Sequence, residues 1–464
     1  MVRTNDAPMQ EKWVDILHRS LEPQREFVVN GATIGTIQHL AGKIRHLAST
    51  TSQSPAYLCL CSHDKALVTA ALLASLTGGP RLVFPFAFSR QAIESVLENM
   101  TISWILTDQP EEMPFPKSSV ISPQMLEKED PSPFSSSIDN DEPFLTLFTG
   151  GSTGAPKIWS KTPRNLIEEA YYICRRFQLT ATDIFLATVP PQHIYGLLFS
   201  IMVPLVTSAR VLPDIYVLPR AIMAAMENFQ ATVLISVPPC YRVLNGDFLM
   251  PHHLRLAFSS AGTLDPDDAA DFHKKMGIGI HEIYGSTETG GVATRCHADS
   301  RVAWSVFDPV EWQIVDDCLQ VHSPFLSPSL PRNQDGFFVT ADRAELDEQG
   351  RFILRGRADN VVKIGGKRVD LQEIQEKIRK INGVRDAAVI LIAKANGRRT
   401  DLFAFVVSDV DPAELRQKMM GQVEPYAVPR HFIPIEKIPI TNTGKPDRQV
   451  MELLARKGEA STEG

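Results

Sequence analysis

Short apolar runs alternate with stretches of helical spacing along the first part of the chain. Tyr57–Cys61 (YLCLC) and Arg81–Pro85 (RLVFP) have the length of buried strands, and between them Ala66–Leu76 carries helix-like spacing and ends at Gly78-Gly79. This βαβ rhythm favours a parallel sheet with helices on its faces. Residues 109–141 are rich in Pro, Ser, Asp and Glu and predict an irregular surface connection. From Leu145 the rhythm resumes with a strand LTLF, a glycine-rich turn, a helix from about Pro163 to Phe177, and a strand IFLAT. Thr232–Ser236, Leu254–Ser259 and His281–Tyr284 predict further strands, each ending where a small or polar loop begins. The carboxyl ends of such strands line the ligand crevice of open α/β sheets. Near residues 350–360 the composition changes. Beyond it the pattern predicts a helix Leu371–Ile381, strands Ala387–Ile392 and Leu402–Val407, and a helix near Pro412–Met420. The expected fold is therefore α/β, with a large N-terminal domain over residues 1–356 and a small α+β domain over residues 357–464.

A chain of 464 residues exceeds one ordinary core, in keeping with two domains. Hydrophobic residues at 44% and charged residues at 22% give the balance of a folded, water-soluble protein. The net charge of −7, with both signs interspersed, argues against nucleic-acid binding, which needs a basic face. The six cysteines are scattered without zinc-ligand spacing, so a reduced compartment and no structural metal are expected. No run of about eighteen apolar residues occurs, and the first residues, MVRTNDAPMQEKW, lack an apolar signal core; a cytoplasmic location follows as an expectation.

The densest chemistry lies directly after LTLF, in Thr149-Gly150-Gly151-Ser152-Thr153-Gly154-Ala155-Pro156-Lys157. Glycines let backbone N–H groups approach phosphate oxygens, and three hydroxyls and a lysine add donors around a polyanion. The spacing is not that of GxxxxGK[ST], and taken alone the segment is also compatible with a polar turn between strand and helix. Further segments follow in order: Tyr284-Gly285-Ser286-Thr287-Glu288-Thr289-Gly290, Asp342, Arg355-Gly356-Arg357-Ala358-Asp359, and Thr441-Asn442-Thr443-Gly444-Lys445.

In order and spacing these segments resemble the adenylate-forming superfamily, which comprises acyl- and aryl-CoA synthetases, nonribosomal adenylation domains and firefly luciferase. The resemblance runs from about residue 144 to 449. It implies ATP and Mg²⁺ as cofactors, a carboxylic acid as substrate, and CoA or a carrier-protein phosphopantetheine as thiol acceptor. By position it implies that Thr149, Gly151, Ser152, Thr153, Gly154 and Lys157 form a triphosphate loop, in which Gly150 and Ile158 replace the usual hydroxyl residue and glycine. Thr287 matches the α-phosphate contact and Glu288 the magnesium ligand. Tyr284 and Gly285 open that segment, and Ser260-Ala261-Gly262 matches the border of adenine. Asp342 matches the acid on the ribose hydroxyls, Arg357 the arginine on the ribose and phosphate side, Asp359 the hinge of a mobile small domain, and Lys445 the lysine that reaches carboxylate and α-phosphate. After adenylation, the resemblance implies, the small domain rotates and presents Lys363–Val369 to a thiol tunnel.

Pro190-Pro191-Gln192-His193-Ile194-Tyr195-Gly196 corresponds to one wall of the acyl pocket, with Val237, Pro238, Ser259 and Tyr284 as further wall residues. His193 there serves as a gate beside the carboxylate or as packing. HIYG is similar to the segment of coumarate and benzoate ligases, which places Tyr195 either beside a ring hydroxyl or in the core. No aspartate stands where amino-acid-activating members pair the substrate ammonium, so an aryl or arylacrylic acid is expected, with a medium-chain acid as the alternative. Two departures stand out. The region before the phosphate loop is shorter than usual, and CLQVHSP replaces the usual GE-containing strand. The trimmed start resembles stand-alone ligases that load aryl acids onto a carrier protein. No GxxS signature follows residue 450, so any carrier is expected in trans. An enzyme that stops at the adenylate or makes an amide, and a non-catalytic nucleotide binder, are the other readings. Retention of Glu288, Asp342, Arg357 and Lys445 together speaks against the last.

Overall fold

The structure is a computed structural model and describes residues 22–47, 50–51, 54–113, 115, 120–127, 131, 140–149, 156–246, 253–296, 303–357, 361–364, 367–393, 400–420, 422–441 and 446–460. Two compact units emerge, one of residues 1–311 and 321–338, the other of residues 312–320 and 339–464.

Two sheets organise the first unit. One contains β1 (Tyr57–Leu60), β2 (Arg81–Phe84), β3 (Trp104–Leu106), β4 (Val120–Ile121), β5 (Leu145–Thr149) and β6 (Lys157–Lys161), in the order β4-β3-β1-β2-β5-β6. Its strands run parallel except β6, which turns back antiparallel on β5. The second contains β7 (Ile184–Ala187), β8 (Arg210–Val211), β9 (Val233–Ser236), β10 (Leu256–Ser259), β11 (Ile280–Ser286), β12 (Gly290–Cys296) and β13 (Ser305–Val306), in the order β13-β12-β11-β10-β9-β7-β8. Here β8 to β11 are parallel while β12 and β13 are antiparallel. The strands β7 and β9 are buried on both faces, which is why they read as unbroken apolar runs. Helices Pro219–Asn228, Pro238–Leu244 and Pro266–Met276 close a core around Leu186, Leu234, Ala257, Tyr241 and Phe272.

Several expected elements are found with shifted ends. The helix predicted from Ala66 begins at Lys65, where the Asp64 side chain caps it by accepting from the Leu67 N–H. The helix predicted at 163–177 spans Pro163–Arg176 and opens with a reciprocal cap between Thr162 and Asn165. The sequence pattern led from the glycine-rich turn straight into that helix, whereas β6 intervenes, so the turn joins two antiparallel strands. The segment KIWSK escaped the pattern because its first residues are exposed and lysines stand at both ends. Likewise β12 opens with two glycines, a weak strand signal.

The second unit holds a four-stranded sheet of β14 (Glu311–Val315), β15 (Cys318–His322), β16 (Phe338–Leu346) and β17 (Phe352–Arg357), in that order. A hairpin follows, β18 (Val361–Ile364) and β19 (Lys367–Asp370), and then a three-stranded sheet of β20 (Val384–Ala393), β21 (Thr400–Ser408) and β22 (His431–Pro434). Alternation along β20 and β21 splits their side chains between two cores. Ala387, Val389, Ala404 and Val406 pack under helices Leu371–Arg379 and Pro412–Met420. Ala388, Ile390, Phe403 and Phe405 face the helix Arg448–Ala460, which contributes Met451 and Ala455. The compact units thus divide ahead of residue 357, because β16 and β17 pair with each other and Trp312 packs edge-on against Phe352. No helix among the described residues is long and apolar enough to cross a membrane.

At the amino ends of the parallel strands of the second sheet, the buried Asp183 carboxylate binds three segments. It accepts from the Thr180 N–H at 2.8 Å, from the Thr232 hydroxyl at 2.8 Å, and from Arg255 Nε and Nη2 at 2.7 and 2.5 Å. Burial pushes this carboxyl up, but the Arg255 guanidinium and the Thr180 and Thr232 donors outweigh it and hold it below its ordinary value. A depressed acid stabilises the fold above its unfolded pKa of about 3.9, and that stability is lost as pH falls through the lower folded value. Asp183→Asn should cost about 1–3 kcal/mol in urea unfolding at pH 7. It should also flatten the acid side of the stability–pH curve; an unchanged acid limb would contradict the assignment.

Candidate active site

Of the mapped nucleotide positions of the first unit, Ser260–Gly262 and Tyr284–Glu288 gather at the carboxyl ends of β10 and β11 and in the turn beyond. Ser260, directly after β10, donates its hydroxyl to the Ile283 carbonyl of β11 at 2.8 Å. Ala261 follows with φ of 69°, a left-handed conformation costly for a residue with a Cβ. A Cβ added to Gly262 would lie 3.7 Å from Pro238 Cγ, so this turn borders the loop after β9. Tyr284 stands near the end of β11, its ring centroid 5.5 Å from that of Trp304.

Between β11 and β12 the chain reverses through Thr287 and Glu288. Ser286 and Thr289 tie the turn by their hydroxyls: Thr289 Oγ1 accepts from the Ser286 N–H at 2.9 Å, and Ser286 Oγ accepts from the Thr289 N–H at 3.2 Å. The backbones approach so closely that a Cβ on Gly285 would sit 2.2 Å from the Gly290 carbonyl oxygen. Glu288 therefore projects from a turn closed by its neighbours, and its own carbonyl accepts from the Ser327 N–H at 2.8 Å. Its carboxylate is the single acidic group of the turn. Among the described residues no three acidic, His or Cys side chains cluster to hold a metal. That donor set fits magnesium, which commonly takes one or two protein carboxylates and completes its shell with phosphate oxygens and water.

Beneath the turn lie two residues that the sequence reading did not single out. Lys161, at the end of β6, is fully buried and donates Nζ to the Phe325 carbonyl at 2.9 Å. Glu169, on helix Pro163–Arg176, is buried and accepts from the Gly291 N–H through Oε1 at 2.6 Å. Burial pulls the Lys161 ammonium down to about 8, against the raising influence of the Glu169 and Glu288 carboxylates. Burial likewise pushes Glu169 up, opposed by Lys161 and the Gly291 N–H. The available signal was the Thr162-Pro163 helix start, which fixes Lys161 one residue before a capped helix.

The proposed acyl-wall residues meet at the carboxyl ends of β9 and β10, where Ser236 and Ser259 are register partners. His193 is the half-buried N-cap residue of the short helix Ile194–Leu197, which runs on through a wide-turn segment Leu198–Met202. Such wide turns concentrate at functional sites. Gly196 is required here, because a Cβ would lie 2.1 Å from the Pro190 carbonyl oxygen. Tyr195 packs against Phe199 at 5.1 Å between ring centroids, with Phe199 against Phe258 at 5.0 Å. Its hydroxyl is buried beside the Ser236 backbone without a hydrogen bond of ordinary geometry, and burial raises its pKa well above the usual value. The buried Ser259 hydroxyl also finds no partner among the described residues, while Ser236 and Thr188 share a hydrogen bond at 2.8 Å. Val237 precedes helix Pro238–Leu244 as its N-cap residue.

Thr149 and Lys157 are register partners at the open end of the β5–β6 hairpin, and Lys157 is exposed. The loop residues Gly151, Ser152, Thr153 and Gly154 lie outside the described residues, as do Asp359 and Lys445. In the second unit Asp342 and Arg357 are register partners on β16 and β17, with 3.5 Å between Oδ1 and Nη1. The Asp342 N–H donates to Thr340 Oγ1 at 3.1 Å. The Lys445 segment is flanked by a bridge between Ile440 and Pro446.

Parallel sheets whose edges fold back as glycine-rich hairpins, joined to a small α+β unit, make up the fold of the adenylate-forming ligases. ATP-bound MatB from Rhodopseudomonas palustris shares it with a TM-score of 0.81 at 20% identity, over 95% of this chain and 98% of that one. The O-succinylbenzoate coenzyme A synthetase from Bacillus subtilis, in complex with ATP and magnesium ion, superposes with a TM-score of 0.80 at 19% identity, over 94% and 98%. The chain belongs to the AMP-binding enzyme family, whose model matches residues 60–323; the AMP-binding enzyme C-terminal domain matches residues 373–445. The medium-chain fatty-acid–CoA ligase of Escherichia coli is 26% identical over 355 residues, covering 68% of this chain. That match spans 61% of the relative's own length.

Gly285→Ala should destabilise the first unit by about 1–3 kcal/mol in chemical denaturation, since the added methyl meets backbone rather than a movable side chain. Wild-type stability in that variant would show that the hairpin is more open than described.

Proposed function

We propose that this chain uses ATP to activate a carboxylic acid as an acyl-adenylate, releasing pyrophosphate, and then passes the acyl group to the thiol of CoA or of a carrier-protein phosphopantetheine. The observation that carries the reading is the turn at Thr287-Glu288, set beside the Ser260–Gly262 loop at adjoining strand ends. Hydroxyls, backbone N–H groups and one carboxylate there suit a nucleotide phosphate with its magnesium. The family match and the ligase relatives support the same chemistry.

A carboxylate is already ionised at neutral pH and needs no general base to attack phosphorus. The barrier is repulsion between two anions, so positioning and positive charge do the work. In the proposed step the carboxylate oxygen bonds to the α-phosphorus while the bond to pyrophosphate breaks. Magnesium, when bound, neutralises part of the phosphate charge. Glu288 would hold it, and Thr287 would donate its hydroxyl to the α-phosphate. Lys445 would reach both anions, and Lys157 with Thr149, Gly151, Ser152, Thr153 and Gly154 would cradle the leaving pyrophosphate. Asp342 would accept from the ribose hydroxyls, and its partner Arg357 would hold the sugar–phosphate side. Rotation about Asp359 would then withdraw Lys445, so that a thiol attacks the acyl carbon and AMP leaves.

For the acid we infer an aryl or arylacrylic substrate, with a medium-chain acid as second reading because the Escherichia coli relative carries that name. The Tyr195, Phe199 and Phe258 rings packed beside this wall suit a flat ring, and the Tyr195 and Ser259 hydroxyls, without an ordinary hydrogen bond among the described residues, suit a ring substituent that can hydrogen-bond. His193 and Gly196 would shape the wall beside the carboxylate, with Val237 and Pro238 as further wall residues.

Lys445→Ala should slow adenylation by about 10²–10³, or roughly 3–4 kcal/mol, while sparing thioester formation from a supplied acyl-adenylate. Equal loss in both half-reactions would remove Lys445 from this role. Across an acid panel read by pyrophosphate exchange, aryl acids should lead. Tyr195→Phe should slow a hydroxylated aryl acid by about 1 kcal/mol and leave its unsubstituted analogue near wild type. Fastest exchange with octanoate, or equal effects on both aryl acids, would take Tyr195 out of the pocket.

A further inference from the structure

The turn that carries Glu288 is gripped from below by buried groups that touch no substrate position. Glu169 Oε1 accepts from the Gly291 N–H at 2.6 Å, just past the turn. A Cβ on Gly290 would lie 2.7 Å from both Glu169 Oε2 and Phe325 Cβ, so carboxylate, glycine and phenylalanine are packed without slack. The Phe325 carbonyl takes Lys161 Nζ at 2.9 Å, and the neighbouring Pro324 and Leu326 carbonyls take Asn165 Nδ2 at 2.6 and 3.2 Å. Two residues further along, the Ser327 N–H donates to the Glu288 carbonyl at 2.8 Å. One limb of the turn is thus tied through Glu169, and the other through the 324–327 strap that Lys161 and Asn165 hold.

We propose that Lys161 and Glu169 are a charge-balanced pair of positioning residues that fix the Ser286–Gly290 turn, and with it the carboxylate of Glu288, for the magnesium-bound nucleotide. The inference rests on the acyl-adenylate reading for its ligand, but the brace itself is a property of the fold. Opposite charges buried within reach of each other's fields compensate; removing one leaves the other stranded. Residues that orient a metal-bearing group typically change metal affinity by 10–100-fold when altered.

The test compares wild type, Glu169→Gln and the double variant Lys161→Gln/Glu169→Gln. Glutamine at 169 keeps an oxygen for the Gly291 N–H but leaves the Lys161 ammonium uncompensated, whereas the double variant removes both charges and keeps both the acceptor for Gly291 and an amide donor for the Phe325 carbonyl. Glu169→Gln should raise the Mg²⁺ concentration for half-maximal pyrophosphate exchange at least tenfold. It should also speed amide hydrogen exchange in the peptide spanning residues 284–291, with the β9 peptide unchanged. The double variant should return both readings to within about threefold of wild type. An unmoved Mg²⁺ midpoint, or loosening spread equally to β9, would overturn the positioning role. So would a double variant as impaired as the single one. Should wild type show no acid-dependent exchange with any acid, the acyl-adenylate reading fails, and the hydrogen-exchange comparison still decides the brace.

Discussion

The arrangement at the strand ends depends on a close approach of backbones that leaves no room for side chains. Around the reversal between β11 and β12, added methyl groups at Gly285, Gly290 and Gly291 would meet a carbonyl, a carboxylate and the Phe307 ring at 2.2, 2.7 and 2.7 Å. Only glycines let the antiparallel strand fold down so tightly, and only that folding brings the Gly291 N–H onto the buried Glu169. The parallel sheet ends there, and its last reversal becomes the platform for Thr287 and Glu288. At the edge of the other sheet β6 likewise turns back antiparallel on β5.

Burying Lys161 and Glu169 is expensive, and neither is needed to fill a hydrophobic core. Charges in such places persist where their removal would leave polar backbone unpaired. Here they satisfy the Phe325 carbonyl, outside any strand or helix, and the Gly291 N–H at the start of β12. The opposite ends of the parallel strands are tied by the Asp183–Arg255–Thr232 cluster. This tie thus lies at the end of the sheet away from the proposed nucleotide site, which sits at the carboxyl ends where open α/β folds bind ligands.

Much of this was legible in the sequence. Continuous apolar runs marked β1, β2, β5, β7, β9 and β10, because strands buried on both faces cannot alternate. The motif order implied the family, and Asp342 and Arg357, fifteen positions apart, prove to be register partners on one hairpin. What escaped was the antiparallel edge. The strands β6 and β12 carry lysines or glycines where strand preference is weakest, and tertiary pairing overrides that preference. Lys161 and Glu169 escaped for a related reason. A lysine beside a helix cap and a glutamate on an amphipathic helix both read as surface residues until the strap over them is seen. The burial of the Tyr195 and Ser259 hydroxyls is likewise something that spacing alone does not encode.

The central claim is that the acid's own oxygen attacks the α-phosphorus. Its most direct measurement is isotope transfer from a carboxylate labelled with oxygen-18 on both oxygens, using an acid that supports pyrophosphate exchange. Turnover to the thioester should place one labelled oxygen in AMP and none in pyrophosphate. Label in inorganic phosphate with ADP as co-product, or no label in AMP, would contradict the account.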